Sequence, residues 1–173
     1  MSKAPKKRID LTGVDYNPLF EEIIIHHTAT PRQKKYDVDW CRRLHTGKGW
    51  QDIGYHLYVE FDGKVSLGRP LHKRGAHCRP RNTVSFGIAF VGGLNKDGDA
   101  QNTITPTQMR SVAECIAELR RVTGKELPVY SHRNFSATFC PGFDASEVDW
   151  KAKLNERARN PVGVRKTDSG AAS

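Results

Sequence analysis

The sequence predicts an α/β protein built on a single mixed central β-sheet flanked by α-helices. Three observations support this fold class. Ile23–Ile25 are consecutive β-branched residues, Asp62-Gly63 separates two β-rich runs, and Thr105 opens a long run with helical spacing. Strand patterns and helix patterns therefore alternate along the chain, as they do in domains that pack helices against a sheet.

The first strand is predicted over residues 22–27, because stiff β-branched side chains favour an extended backbone. A loop over residues 28–35 follows it. The next apolar residues are spaced like one face of a short helix, which ends near Gly47 and Gly49. These residues are Val38, Trp40, Cys41 and Leu44.

A β-hairpin is predicted next, with strands over residues 55–61 and 64–67. The dipeptide Asp62-Gly63 lies between these runs and is the strongest short-range signal for a tight antiparallel turn. Residues 68–83 have no periodic pattern and are predicted to form a long loop, a feature that is often functional in a compact domain. An apolar strand over residues 84–91 follows.

The C-terminal half begins with the clearest helix of the sequence. Thr105 at the N-cap, proline at the first helical position and Gln108 as capping-box partner mark its start, and Gly124 marks its end. A short strand over residues 127–131 follows, and Asp144 is predicted to cap a last helix. The elements therefore run β, α, β-hairpin, β, α, β, α.

The length of 173 residues predicts one domain with loose ends. We expect an N-terminal arm over residues 1–20, a folded domain over residues 21–158 and a disordered tail over residues 159–173. No apolar stretch is long enough to span a bilayer, and the basic start MSKAPKKRID lacks the apolar segment of a secretory signal. A cytoplasmic location is therefore expected.

The net charge of +9 favours anionic partners. Charge alone does not choose among nucleic acid, an acidic polysaccharide and a membrane surface. A solvated basic surface is the other interpretation, because several of the positive charges lie in the two terminal segments.

Four cysteines are present, and none belongs to a C-x-x-C pair, which argues against a zinc ribbon and a thioredoxin-type site. Cys115 lies in the amphipathic pattern of the long helix and is predicted to be a buried apolar residue. Cys140 is different, because it follows His132 by eight positions and precedes a Pro-Gly turn.

Residues with metal-binding side chains lie at or just beyond the ends of two predicted strands. His26 and His27 end the first strand, and alternation places their rings on opposite faces, so only one of them can face a given site. His132 follows the last strand, and Cys140 lies in the loop beyond it. Two histidines and one cysteine suit tetrahedral zinc with water in the fourth position. Spacing alone leaves a structural role open, since the chain has seven histidines.

Five motifs together resemble the zinc N-acetylmuramoyl-L-alanine amidases, the family of bacteriophage lysozyme-type amidases and animal peptidoglycan recognition proteins. They are IIIHHTATP, GWQDIGYHLYVEFDGKV, GAHCRPRNTVSFGIAFVGG, TPTQ and SHRNFSATFCPGFD, and they cover roughly residues 20–150. The resemblance implies one Zn²⁺ per chain, in a cleft at one face of the mixed sheet. It also implies that residues 21–158 form an amidase catalytic domain.

The resemblance implies a role for each residue that matches a family motif. The matches to metal ligands are His26, His132 and Cys140. His27 is then expected on the opposite face, packed or supporting the ligands. Tyr55 matches the catalytic tyrosine, whose hydroxyl can donate a hydrogen bond to the oxyanion that develops on the attacked carbonyl. Thr138 stands where phage members carry lysine and animal amidases carry threonine, so it is expected to help catalysis without supplying a charge.

The loop motif GAHCRPRN is implied to border the substrate groove. His77 matches a groove histidine of the family, and Arg79 and Asn82 are predicted to contact substrate. An arginine there could pair with a carboxylate of the peptide stem. A solvated loop charge is the alternative for the arginine.

The predicted reaction is hydrolysis of the amide between N-acetylmuramic acid and L-alanine in peptidoglycan. No G-x-S-x-G motif is present, which argues against a serine acyl-enzyme, although a Cys–His hydrolase with Cys140 as nucleophile stays open. The predicted role is that of a phage endolysin, a monomer that collects in the host cytoplasm and reaches the cell wall through a separate pore protein. Its expected partners are peptidoglycan and an anionic envelope surface, with no nucleic acid.

Two alternatives accompany the resemblance. Some family members bind peptidoglycan without cleaving it, and these have usually lost the ligand cysteine that this sequence retains as Cys140. A phage amidase of this type can also bind the phage RNA polymerase through a surface that includes its N-terminal arm. The basic arm of this chain is compatible with such a regulatory role.

Overall fold

A computed structural model of the chain describes residues 7–156, which contain one five-stranded sheet. The strands are β1 (Glu22–His27), β2 (Leu57–Val59), β3 (Val65–Leu67), β4 (Ser85–Phe90) and β5 (Val129–Ser131). Their order across the sheet is β3-β2-β4-β1-β5. β1 pairs in parallel with β4 and β5, β4 pairs in parallel with β2, and β2 and β3 are antiparallel. The predicted mixed sheet is confirmed.

In the part of the chain that the structure describes, three α-helices accompany the sheet, namely α1 (Val38–Gly47), α2 (Pro106–Thr123) and α3 (Trp150–Asn155). The predicted capping box of α2 is present. Thr105 Oγ1 accepts from the Gln108 backbone N–H at 3.1 Å, and Gln108 Oε1 accepts from the Thr105 N–H at 3.2 Å. Gly124 ends the helix in the left-handed conformation, with φ 67°. Both ends of α2 are therefore fixed by local sequence, as predicted.

The prediction that Asp144 caps the last helix is wrong. Asp144 caps a separate 3-10 turn over Ala145–Glu147, and Asp149 is the N-cap of α3. Val148 lies between the two segments with extended backbone angles, φ −82° and ψ 129°, which interrupt the helix. Each aspartate accepts from a backbone N–H two or three residues further on, so the sequence offered two equivalent starts.

The hairpin is present but its strands are shorter than predicted. β2 begins at Leu57, so Tyr55 lies just before the strand. The Tyr55 carbonyl accepts instead from the Arg69 N–H at 2.8 Å, which ties the start of the long loop to the hairpin. Gly63 has a φ of 89° at the predicted turn, a conformation that glycine adopts without steric cost.

The two faces of the sheet are covered by different helices. α2 and α3 pack on the face to which β1 presents Ile23 and Ile25, and this forms the main core. On the other face, Cys41 of α1 packs with a smaller apolar group that includes Tyr58 and Ala89. Since strand side chains alternate, His26 lies on the α1 face and His27 lies on the α2 face.

The described part of the N-terminal arm packs against α2. Ile9 and Leu11 are buried in the main core, and the Leu11 N–H donates to Glu118 Oε1 at 3.0 Å. The predicted disordered tail over residues 159–173 lies outside the described residues. Within residues 7–156, every helix is too short or too polar to cross a membrane.

Candidate active site

The first element of the site is the C-terminal end of β1. His26 is buried there and pairs in register with Ala89 of β4. Ala89 is buried too and belongs to the apolar group on the α1 face. His27 turns to the opposite face, where its Nδ1 accepts from the Ala29 N–H at 3.0 Å. The strand alternation expected from the sequence therefore separates the two histidines.

His132 reaches the same place from the neighbouring strand. β5 lies beside β1 in parallel, with Ser131 opposite Ile25, and His132 is the next residue after β5. Parallel strands bring their carboxyl ends to the same edge of a sheet, so the residues that follow them become neighbours. The rings of His26 and His132 accordingly lie 4.6 Å apart between centroids.

Cys140 is brought back to the two histidines by a closed loop. The Arg133 N–H donates to the Cys140 carbonyl at 2.9 Å, which closes the eight-residue excursion beyond His132. Cys140 Sγ then lies 3.9 Å from His26 Nδ1 and accepts a hydrogen bond from the His27 N–H at 3.2 Å. A backbone N–H directed at sulfur stabilises a thiolate.

The three side chains form a cluster able to hold a metal ion. One ligand atom from each of His26, His132 and Cys140 lies within 4.8 Å of the others. Tetrahedral zinc with ordinary Zn–N and Zn–S bonds separates its ligand atoms by about 3.3–3.6 Å, so the three side chains would have to move closer together around the ion. Two imidazoles and one thiol are also the chemical set that zinc prefers, so the residues fit this metal.

The protonation states suit metal binding at neutral pH. Burial lowers the pKa of His26 well below its ordinary value and also lowers the pKa of His132, so both imidazoles are neutral and can ligate. Burial raises the pKa of the Cys140 thiol to about 12. A divalent cation must therefore displace the thiol proton, and metal binding should release it to solvent.

Tyr55 lies beside the cluster. Its ring centroid is 5.2 Å from that of His26 and 5.6 Å from that of His45 on α1. Burial raises the pKa of the Tyr55 phenol, with smaller contributions from Cys140 and Cys41, so the hydroxyl keeps its proton and can act as a donor. The predicted catalytic tyrosine is thus adjacent to the predicted ligands.

Thr138 is the second predicted catalytic residue, and it lies in the loop that carries Cys140. Its Oγ1 accepts from the Cys140 N–H at 3.2 Å, and the side chain is half-buried. A hydroxyl that accepts one hydrogen bond can still donate its own proton.

An open basic cleft of about 770 Å³ lies along the long loop. Its lining includes Trp50, Lys73, Arg74, His77, Arg79 and Asn82. Arg79 is exposed at the rim. Asn82 is buried, and its Oδ1 accepts from the backbone N–H groups of His77 and Cys78, each at 2.8 Å. His77 is buried as well, with Nδ1 2.8 Å from His26 Nε2, a contact that the sequence did not reveal.

Comparisons with known proteins place this arrangement in a family. The family model described as N-acetylmuramoyl-L-alanine amidase matches residues 16–143. The chain belongs to the N-acetylmuramoyl-L-alanine amidase family. It is 33% identical over 124 residues to the endolysin of Klebsiella phage KP32, a match that covers 71% of this chain and 81% of the endolysin.

Two further proteins extend the comparison for this amidase. It is 36% identical over 125 residues to peptidoglycan-recognition protein SC1a of Drosophila melanogaster, covering 69% of this chain and 66% of that protein. The solved structure of the amidase LysC from Clostridium intestinale URNW superposes with a TM-score of 0.64 at 29% identity, covering 83% of this chain and 92% of LysC. The predicted fold and enzyme class are confirmed.

His45 lies beside the predicted catalytic tyrosine, Tyr55, a contact that the sequence did not reveal. It is buried on α1, where its Nδ1 accepts from the Gly54 N–H at 2.9 Å, next to Tyr55 in the chain. Its Nε2 lies 3.9 Å from Cys41 Sγ, one helical turn earlier. The signal available in the sequence was this i, i+4 pair of Cys41 and His45, which faces the same side of α1.

Proposed function

We propose that this amidase is a zinc-dependent endolysin that hydrolyses the amide between N-acetylmuramic acid and L-alanine in peptidoglycan. The observation that carries the proposal is the convergence of His26, His132 and Cys140, from three separate segments, on one point. The proposed cofactor is one Zn²⁺ per chain. A zinc ion held there would polarise the amide carbonyl and lower the pKa of a water molecule.

The chain's own residues would stabilise the charge that develops on the attacked carbonyl oxygen. Tyr55 is next to His26 and is protonated at neutral pH, so its hydroxyl can donate to that oxygen. Thr138 can donate as well, because the Cys140 N–H uses only its acceptor capacity. Neutral donors of this kind stabilise an oxyanion less than an ammonium group would.

The basic cleft is the proposed binding site for the peptide stem. Lys73, Arg74 and Arg79 are exposed at its rim, where they can meet the carboxylates of the stem. Trp50 offers an apolar ring with 39% of its surface exposed. We propose that Asn82 acts through the loop, since its carbonyl oxygen holds the backbone of His77 and Cys78.

The endolysin role is supported by the phage relatives. We propose that the monomeric enzyme accumulates in the host cytoplasm and acts on the cell wall after a separate pore protein releases it. The net charge of +9 supports contact with an anionic envelope surface. Added salt should weaken that contact, because ions screen attraction between exposed charges.

Product analysis on purified peptidoglycan tests the proposal. An amidase of this kind releases new N-terminal alanine and creates no new reducing sugar ends. Activity should disappear with a chelator and return with added zinc. The Cys140→Ser variant should be inactive in the same assay. Binding to peptidoglycan without release of alanine would favour the alternative role of a recognition module, to which the Drosophila relative points by name.

A further inference from the structure

We propose that His77 is a positioning residue of the metal centre, because its ring selects which nitrogen of His26 faces the metal. This inference rests on the proposed function, in that it requires a metal ion at the cluster. It assigns His77 to the support of a ligand, whereas the sequence suggested a role in the substrate groove.

The argument begins at the far side of the His77 ring. Nε2 lies 3.3 Å from the carbonyl oxygen of Ser85 and 3.4 Å from Ser85 Oγ. The carbonyl can only accept, and Ser85 Oγ donates its own proton to the Arg81 carbonyl at 2.6 Å. Both neighbours of Nε2 are therefore acceptors, so Nε2 carries the hydrogen.

The tautomer of His77 determines that of His26. A neutral imidazole has one donor and one acceptor nitrogen, so His77 Nδ1 is the acceptor. It lies 2.8 Å from His26 Nε2, which must then be the donor. The remaining nitrogen, His26 Nδ1, has a free lone pair and is the atom that faces Cys140 Sγ at 3.9 Å. A backbone carbonyl of β4 thus sets the ligand atom of β1 through two imidazoles.

The fold also holds the His77 ring in place. A Cβ atom at Gly87 of β4 would lie 2.6 Å from His77 Cγ, and one at Gly75 would lie 2.5 Å from Cδ2. Neither glycine has a positive φ, so the close approach of the ring, and not the backbone conformation, accounts for glycine at both positions. Asn82 Oδ1 meanwhile accepts from the His77 N–H and fixes its backbone.

Outer hydrogen bonds to ligating histidines orient the ring and raise its basicity, and removing them typically costs 10–100-fold in metal affinity. Two substitutions of His77 separate this role from mere packing. Asparagine places an amide oxygen near the position of Nδ1 and can still accept from His26. Glutamine places its amide near the position of Nε2, so it keeps the contact with Ser85 and loses the acceptor toward His26.

The experiment compares wild type, His77→Asn and His77→Gln for zinc affinity, by competition with a chromophoric chelator. The visible absorption of the Co²⁺-substituted proteins reports the coordination geometry independently of activity. We expect His77→Asn to stay close to wild type and His77→Gln to bind zinc about 10–100-fold more weakly, with a weaker tetrahedral Co²⁺ spectrum. Circular dichroism of the metal-free variants confirms that each is folded.

Equal zinc affinity of the Asn and Gln variants, whether tight or weak, would overturn the positioning role. A wild-type protein that binds neither zinc nor Co²⁺ would instead overturn the proposed function. The two failures are therefore distinguishable.

Discussion

Replacing Gly87 with alanine puts a methyl group into the space that the His77 ring occupies. The new Cβ would lie 2.6, 2.7 and 3.0 Å from Cγ, Cδ2 and Nδ1 of that ring, whereas ordinary contacts start at 3.4 Å. The His77 ring or strand β4 must therefore move by about 0.8 Å. Overpacking of this kind costs about 1–3 kcal/mol, which lowers the melting temperature by roughly 2–4 °C for each kcal/mol in a domain of this size.

The assay pairs thermal unfolding of the metal-free protein with zinc affinity. Gly87→Ala should melt several degrees lower and bind zinc more weakly, because the acceptor for His26 moves with the ring. The matched control is Gly47→Ala at the end of α1, where nothing lies within 4 Å of the new Cβ and the backbone is not left-handed. That variant should be neutral or slightly more stable. If Gly87→Ala has the melting temperature and the zinc affinity of wild type, the close contact with Gly87 does not hold the His77 ring in place.

Three further predictions concern catalysis, loop anchoring and acid stability. Tyr55→Phe should lower kcat by about 10²–10³-fold with unchanged zinc affinity, as measured by steady-state kinetics and a zinc titration. A variant with the kcat of wild type would show that the hydroxyl takes no part in catalysis. Glu22 is 4% exposed, and its carboxylate accepts two hydrogen bonds from the Arg81 guanidinium, at 2.6 and 2.7 Å. Arg81→Ala removes both, so denaturant unfolding should show that the free energy of unfolding falls by about 1–3 kcal/mol. Burial lowers the pKa values of His45 and His56 to about 4, so the metal-free protein should lose stability as pH falls from about 6.5 to about 4; a melting temperature that is flat across this range would contradict that burial.

The elements that the sequence predicted best are those with strong local signals. β1 and β4 combine uninterrupted apolar runs with burial of every residue, and α2 has both a capping box and a C-terminal glycine. The start of α3 was predicted wrongly for a local reason too, because Asp144 and Asp149 carry the same capping signal. Strand ends in the hairpin were overestimated, since the β-rich pattern continues into Tyr55 although the chain there pairs with the following loop.

The site divides in a similar way. The three proposed ligands were predicted from the family motifs and from strand alternation, and the structure places their side chains close together. The catalytic roles of Tyr55 and Thr138 and the substrate contact of Arg79 stay predictions. The contact between His77 and His26 joins residues 51 positions apart, and it depends on Gly75 in the same loop and on Gly87 in β4. No local pattern in the sequence encodes such a contact.

The position of His132 depends on the register of a very short strand. β5 has three residues, and a slip by one residue would turn His132 to the other face of the sheet, because strand side chains alternate. Ser131 limits this slip from several directions. Its N–H donates to Asn134 Oδ1 at 2.7 Å, its Oγ donates to the Phe143 carbonyl at 3.0 Å, and the same Oγ accepts from the Ala145 N–H at 2.8 Å. One buried serine without a chemical role of its own therefore ties β5 to the segment just beyond Cys140. The proposed metal ligands His132 and Cys140 are positioned by one shared hydrogen-bonded frame, and not by the strand alone.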